Sequence, residues 1–104
     1  MSVVGKAIIE LFPTEHGGLK APLPSGTRSL LVGFTDSEKG ETFGAVFTDA
    51  DDQELAPGST HTVTLSFWSD AAEIYGTRGA KLTLQYGREV GRGEIVEAVS
   101  STPR

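Results

Sequence analysis

The sequence predicts a small all-β domain, and three observations support this fold class. Apolar and polar residues alternate along several segments, most clearly at 61–68, where Val63, Leu65 and Phe67 share one face. Groups of glycine, proline and aspartate separate these segments, as expected for tight turns. Helical periodicity is nearly absent. Short alternating strands joined by short connections favour an antiparallel barrel or sandwich.

Each element follows from the same alternation. In the first strand Val3, Ala7, Ile9 and Leu11 fall on one side, while Lys6 and Glu10 fall on the other. The six predicted strands cover residues 3–12, 27–34, 41–47, 61–68, 81–86 and 89–99. A single helical turn is predicted at 70–76, where Asp70 begins the turn and Gly76 ends it. We therefore predict one barrel domain over residues 1–99 and a flexible tail over residues 100–104.

Composition restricts the classes of function. The chain has 104 residues, enough for one domain, and it has no cysteine, which removes thiol catalysis, thiolate metal sites and disulfides. Its start lacks the pattern of a secretion signal, and no run approaches the roughly 18 apolar residues of a membrane helix. We therefore predict a cytoplasmic protein. The formal net charge of −5 argues against unaided binding of nucleic acid.

Candidate chemical motifs are weak, and we predict no catalytic residue, no metal site and no cofactor. The acidic segment 49–54 offers oxygen ligands, but its spacing is not that of an EF-hand loop, so it is interpreted as a solvated loop. His16 and His61 lack a neighbour at metal-ligand spacing. Ser25 and Ser59 lie in predicted turns without the Gly-x-Ser-x-Gly frame of a nucleophile elbow.

Two surface features leave alternatives open. Trp68 either projects outward as an interface anchor or slips inward and caps the core, and the pattern favours neither. Basic residues gather in the C-terminal third, where they form either a small patch for an anionic partner or an ordinary mixed surface. These residues are Arg78, Lys81, Arg88 and Arg92.

Three segments in register resemble the third domain of the translation factor EF-Tu. Residues 8–22 are similar to the first strand of that domain and its acidic Gly-Gly segment closed by a proline. Pro57-Gly58, followed by the Thr-Val-Thr-Leu strand at 62–65, is similar to its Pro-Gly turn and next strand. Residues 87–96 are similar to its terminal Gly-Arg-Thr-Val-Gly-x-Gly-Val-Val.

The resemblance implies a six-stranded antiparallel Greek-key barrel without the GTPase domain that performs the chemistry of EF-Tu. In the full factor this barrel packs on the GTPase domain, meets the exchange factor and touches the T-stem of aminoacyl-tRNA. By resemblance, the partner surface of this chain would lie at 17–20 and 85–88. The sequence departs from the family at Leu19, Lys20 and Ala21, where Arg-His-Thr is usual, and at Gln85 and Tyr86, where an acidic residue and glycine are usual.

These observations lead to two main hypotheses. The first is a non-enzymatic module that binds a protein, such as a partner of EF-Tu, in an immunity or regulatory role. The second is a module that binds tRNA or another RNA through Lys20, Arg88 and Arg92, which the net charge and the ring of Tyr86 disfavour. A small hydrolase and a self-associating structural protein are weaker alternatives, and the oligomeric state is left open. The residues predicted to contact a partner are Lys20, Trp68, Gln85, Tyr86, Arg88 and Arg92.

Overall fold

The structure is a computed structural model that describes residues 3–28, 30–35, 42–68 and 72–101. Its elements are a 3-10 turn at Thr14–His16, a one-turn helix α1 at Ala72–Tyr75 and six strands. The strands are β1 (Val3–Leu11), β2 (Leu31–Phe34), β3 (Thr42–Asp49), β4 (Thr60–Phe67), β5 (Lys81–Gln85) and β6 (Glu89–Ser101). Within these ranges no helix is long and apolar enough to cross a membrane.

The six strands form one closed antiparallel barrel. Around the barrel their order is β1-β4-β3-β2-β5-β6, and β6 pairs with β1 to complete the circle. Consecutive strands β2, β3 and β4 are neighbours, whereas β1 reaches β2 by a long connection and lies beside β4. This arrangement is a Greek key. The predicted fold class is therefore confirmed.

The core consists of the inward-facing residues of all six strands. Val3, Ala7, Ile9 and Leu11 of β1 are buried as predicted, and Val63, Leu65 and Phe67 of the neighbouring strand β4 are buried beside them. The connection from β1 to β2 passes over one end of the barrel. It covers this end with the buried side chains Leu19 and Leu30, which belong to the same core as Leu55.

Aromatic rings fill the opposite end of the barrel beneath α1. Phe34, Phe43 and Phe67 lie within 6.5 Å of one another by ring centroids, and Tyr75 of α1 lies 6.1 Å from Phe34 and 6.0 Å from Phe43. The predicted helical turn thus exists, although its predicted cap, Asp70, lies outside the described residues. The turn places an aromatic side chain over the barrel end.

Three predicted strand boundaries differ from the structure by two residues or more, and the others agree to within one residue. The second strand begins at Leu31 rather than residue 27, because Thr27 makes only an isolated bridge with Phe47. The third continues to Asp49. The last continues to Ser101 and pairs with the beginning of β1, so the tail does not begin at residue 100. Residues 102–104 lie outside the described part of the chain.

Candidate functional site

The two segments predicted to carry a partner surface meet at one end of the barrel and form a groove. The connection after β1 supplies one wall, and the turn between β5 and β6 supplies the other. The volume is about 550 Å³. We call this the hairpin groove, and its lining residues are Gly18, Leu19, Lys20, Ala21, Leu23, Tyr86, Gly87, Arg88 and Val90.

Arg88 connects the two walls of the hairpin groove. Its Nε donates to the carbonyl oxygen of Gly17 at 3.0 Å, and its Nη2 donates to that of Gly18 at 3.3 Å. A further hydrogen bond lies within the segment that follows β1, where the hydroxyl of Thr14 donates to the carbonyl oxygen of Leu19 at 2.7 Å. Arg88 therefore positions the groove, and part of its guanidinium is already engaged.

The groove combines an apolar base with a polar rim. Leu19 and Val90 are buried beneath it, and Leu23 is half-buried. Tyr86 is 51% exposed and Lys20 is exposed at the edge. Among the described residues, Lys20 has no hydrogen bond or ion pair. An apolar base with one aromatic ring and one available cation suits a ligand with an apolar group beside an acidic one.

Trp68 projects outward and does not cap the core, so of the two alternatives left open by the sequence the interface anchor stays a prediction. The residue is 55% exposed, and its ring lies over Gly44, where an added Cβ would come within 2.6 Å of the ring. Gly44 pairs with Leu31, and Leu31 pairs with Gln85. Trp68, Leu31 and Gln85 thus lie along one row on the outer face of the barrel, and this row leads toward Tyr86.

Arg92 lies apart from the groove. Its Nε donates to a carboxylate oxygen of Glu10 at 3.1 Å, and it lines a separate hollow with Ile8, Lys81 and Glu94. Lys81 is ion-paired with Glu94 in the same hollow. Of the six predicted contact residues, the structure therefore brings Lys20, Tyr86 and Arg88 together, places Gln85 and Trp68 along an adjoining row, and separates Arg92.

A second polar cluster, which the sequence did not predict, lies where β3 ends and β4 begins. His61 Nδ1 lies 2.6 Å from Asp49 Oδ1, and His61 Nε2 lies 2.7 Å from Ser59 Oγ. The side chains of His61 and Asp49 are only 8% and 6% exposed. We call these three residues the Asp-His-Ser cluster.

Asp49 is held in place by the loop that follows it. Its Oδ2 accepts the backbone N–H groups of Asp51 at 2.8 Å and Gln53 at 3.0 Å, while its own N–H donates to the hydroxyl of Ser25. The prediction that the acidic segment is a solvated loop is therefore wrong for Asp49. It describes only the exposed members Asp51, Asp52 and Glu54.

These bonds make the stability of the protein sensitive to acid. The pKa of the Asp49 carboxyl lies below its ordinary value of 3.8, chiefly because the N–H of Gln53 favours the anion. The bonds from His61 and Asp51 act in the same direction, and burial opposes them. A carboxyl whose pKa is lower in the folded state stabilises the fold above about pH 3.8, and this contribution is lost as pH falls through the folded-state pKa.

We therefore expect Asp49→Asn to unfold at a lower temperature than the wild type at pH 7, and the difference to shrink as the pH is lowered below about 3.8. Thermal unfolding followed by circular dichroism across pH measures this. Asp52→Asn removes one charge from an exposed position of the same loop and serves as the control. A difference between wild type and Asp49→Asn that stays constant across pH would contradict the assignment.

The contact between Ser59 and His61 could have been predicted from the sequence. Residues two apart in a strand share a face, so a Ser-x-His pair entering a strand places both side chains together. Asp49 joins them only through the register of β3 and β4, in which Asp49 pairs with Val63.

Comparison of the sequence with protein-family models and with curated proteins gives no match. The resemblance to the third domain of EF-Tu stays a prediction carried by the three segments quoted above.

Proposed function

We propose that this protein is a binding module whose hairpin groove holds a segment of a partner protein without a chemical step. The observation that carries the proposal is the meeting of residues 17–23 and 85–90 around an apolar base with Tyr86 and Lys20 at its rim. Exposed aromatic side chains next to pockets are frequent anchors of protein interfaces. The partner segment would insert an apolar side chain and present a carboxylate to Lys20.

The identity of the partner follows from the resemblance. If the barrel imitates the third domain of EF-Tu, its partner is a protein that recognises that factor, and the module competes with EF-Tu for it. The role would be immunity against an agent that docks on EF-Tu, or regulation of translation. This part of the proposal depends on the resemblance, whereas the groove depends only on the geometry.

Binding of RNA is the alternative, and the charges of the described residues weigh against it. Arg92 is paired with Glu10, and Arg88 donates to two backbone carbonyl oxygens. Of the three cations proposed to contact phosphates, only Lys20 is without a partner within the described ranges. Nonspecific affinity for RNA rises with the number of phosphates neutralised, so the engagement of two of these three cations in other contacts weighs against this alternative.

The test uses the immobilised protein and native cytosol, with and without nuclease, and with purified EF-Tu as competitor. We expect a protein to be retained after nuclease, displaced by EF-Tu, and bound about 30-fold more weakly by Tyr86→Ala, as is typical of an aromatic residue that anchors an interface. Lys20→Glu is expected to weaken capture, and Ile8→Ala, an exposed apolar residue outside the groove, is the matched control.

Three outcomes would change this conclusion. If EF-Tu does not displace the retained protein, the chain does not imitate EF-Tu, but the hairpin groove can still be the binding site. If Ile8→Ala reduces retention as much as Tyr86→Ala does, the hairpin groove is not the binding site. Retention of RNA alone, weakening steeply with salt, would replace protein binding by RNA binding.

A further inference from the structure

The Asp-His-Ser cluster has the connectivity of a nucleophile with its base, and the proposed binding function does not use it. The order of contacts is carboxylate to Nδ1, then Nε2 to hydroxyl, at 2.6 Å and 2.7 Å. The contact with the hydroxyl has an ordinary hydrogen-bond length, and the contact with the carboxylate, at 2.6 Å, is slightly shorter than the usual range. This is the geometry by which an acid orients a histidine and the histidine accepts a proton from a serine.

The carboxylate of Asp49 determines which nitrogen of His61 is the base. An anionic carboxylate only accepts, so Nδ1 must carry a proton and donate it to Asp49. In the neutral ring Nε2 is then unprotonated and faces the hydroxyl of Ser59. The two backbone N–H groups on Asp49 Oδ2 fix the carboxylate, so the ring is held in this orientation.

The turn before β4 presents Ser59 at the surface end of the cluster. Ser59 N–H donates to the carbonyl oxygen of Ala56 at 3.2 Å, and Gly58 has φ +78°, as in a type II turn with proline at its second position. Ser59 is half-buried, and its neighbour Gly58 is exposed. The turn is therefore the side from which a reagent would have to reach Ser59, because the side chains of His61 and Asp49 are almost completely buried.

The hydroxyl hydrogen of Ser59 has two acceptors. One is the carbonyl oxygen of Ala56, 2.5 Å from Oγ, and the other is His61 Nε2. Donation to Ala56 leaves Oγ to accept from a doubly protonated ring. Donation to Nε2 of the neutral ring is the arrangement that activates Oγ, and a rotation about the Cβ–Oγ bond interconverts the two.

We propose that Ser59 is a nucleophile with His61 as its general base and Asp49 as the residue that positions the base, and that its substrates are small activated carboxylic esters. Oγ attacks the ester carbonyl carbon, and its proton passes to Nε2. The carbon–oxygen bond to the leaving group then breaks, the leaving alkoxide takes the proton from Nε2, and the acyl group stays on Ser59. Water attacks the acyl-serine by the same transfers and releases the acid.

The test is covalent labelling with a fluorophosphonate. Ser59 Oγ bonds to phosphorus, fluoride leaves, and the hydroxyl proton passes to His61. Intact-mass measurement and peptide mapping of the folded wild-type protein are expected to place one label on Ser59, at least about 100-fold faster than on any other serine, in line with the effect of a positioned general base. Hydrolysis of p-nitrophenyl acetate gives the matching turnover measurement.

Variants separate activation from folding. His61→Gln is expected to slow labelling of Ser59 about 100-fold, and Ser66→Ala, a half-buried serine later in β4, is the matched control that leaves it unchanged. For Asp49→Asn, the ¹⁵N shifts of the His61 ring are expected to move toward the Nε2-protonated tautomer, with His16 as an internal reference. If a variant fails to fold, the position of the label in the folded wild-type protein still tests whether Ser59 is the nucleophile.

The result that overturns the proposal is clear in each arm. Absence of a label, labelling spread evenly over the serines, or labelling of Ser59 that survives urea unfolding would show that the cluster has a purely structural role. If folded His61→Gln labels Ser59 at the same rate as the wild type, His61 is not the general base. None of these outcomes bears on the hairpin groove, which contains none of the three residues.

Discussion

Replacement of Gly18 by alanine is expected to disrupt the hairpin groove and to destabilise the whole protein. A Cβ at residue 18 would lie 1.9 Å from the carbonyl oxygen of Phe12 and 2.6 Å from its carbonyl carbon. Both are backbone atoms, so no side-chain rotation relieves the clash. The N–H of Gly18 also donates to the carbonyl oxygen of Pro13 at 3.0 Å, and opening the loop would break this bond.

The expected cost is at least about 2 kcal/mol, at the upper part of the range for overpacked sites. For a domain of this size that corresponds to a fall of about 10 °C in melting temperature. The contact of Arg88 with Gly18 is expected to be lost in the same variant, so partner capture at the groove should fall below detection. Calorimetry and the capture assay measure the two effects separately.

Gly17→Ala is the matched control, because the neighbouring glycine is required for a different reason. Gly17 has φ +87°, a conformation that disfavours a side chain, but an added Cβ would meet nothing within 4 Å. The cost is therefore about 1 kcal/mol of backbone strain, with the groove walls unmoved. Equal stability of the two variants would show that the loop relaxes around residue 18, and the contact argument would then be wrong.

The fold could be predicted from the sequence because the patterns that indicate its strands and turns lie within short segments of the chain. Alternation in β1 and β4 assigned the buried side chains, and the Gly-Gly pair and Gly87 marked the turns that wall the groove. The places where prediction failed depend on pairing between distant strands. A single shift of register moves every side chain of a strand to the other face, and no local pattern fixes it for β3 against β4.

The acidic segment illustrates this limit. Composition alone makes residues 49–54 a solvated loop, which is correct for the three exposed carboxylates. Asp49 differs because it is the last residue of β3, and the pairing of β3 with β4 brings its carboxylate to His61. The same reasoning explains the position of Arg92. The sequence analysis grouped Arg92 with Arg88, but the pairing of β6 with β1 places Arg92 beside Glu10.

Phe67→Ala is expected to be the most destabilising single substitution among those considered. Phe67 is fully buried, and its ring centroid lies 6.0 Å from that of Phe34 and 6.5 Å from that of Phe43. Removal of the ring leaves a cavity within a group of aromatic side chains, and such changes cost about 3–5 kcal/mol. Since small domains are stable by only about 5–15 kcal/mol, the variant should be near the limit of folding, as urea unfolding will measure.

Trp68→Ala provides the comparison, since the two aromatic residues are adjacent in the chain and lie on opposite faces of the barrel. The exposed ring contributes packing over Gly44, so its removal should change stability by no more than about 0.5 kcal/mol. Weakened partner capture by a stable Trp68→Ala would then extend the binding surface from the groove along the outer row through Leu31 and Gln85. A cost as large as that of Phe67→Ala would instead make Trp68 part of the packing of the fold, because exposed side chains do not stabilise a barrel to that extent.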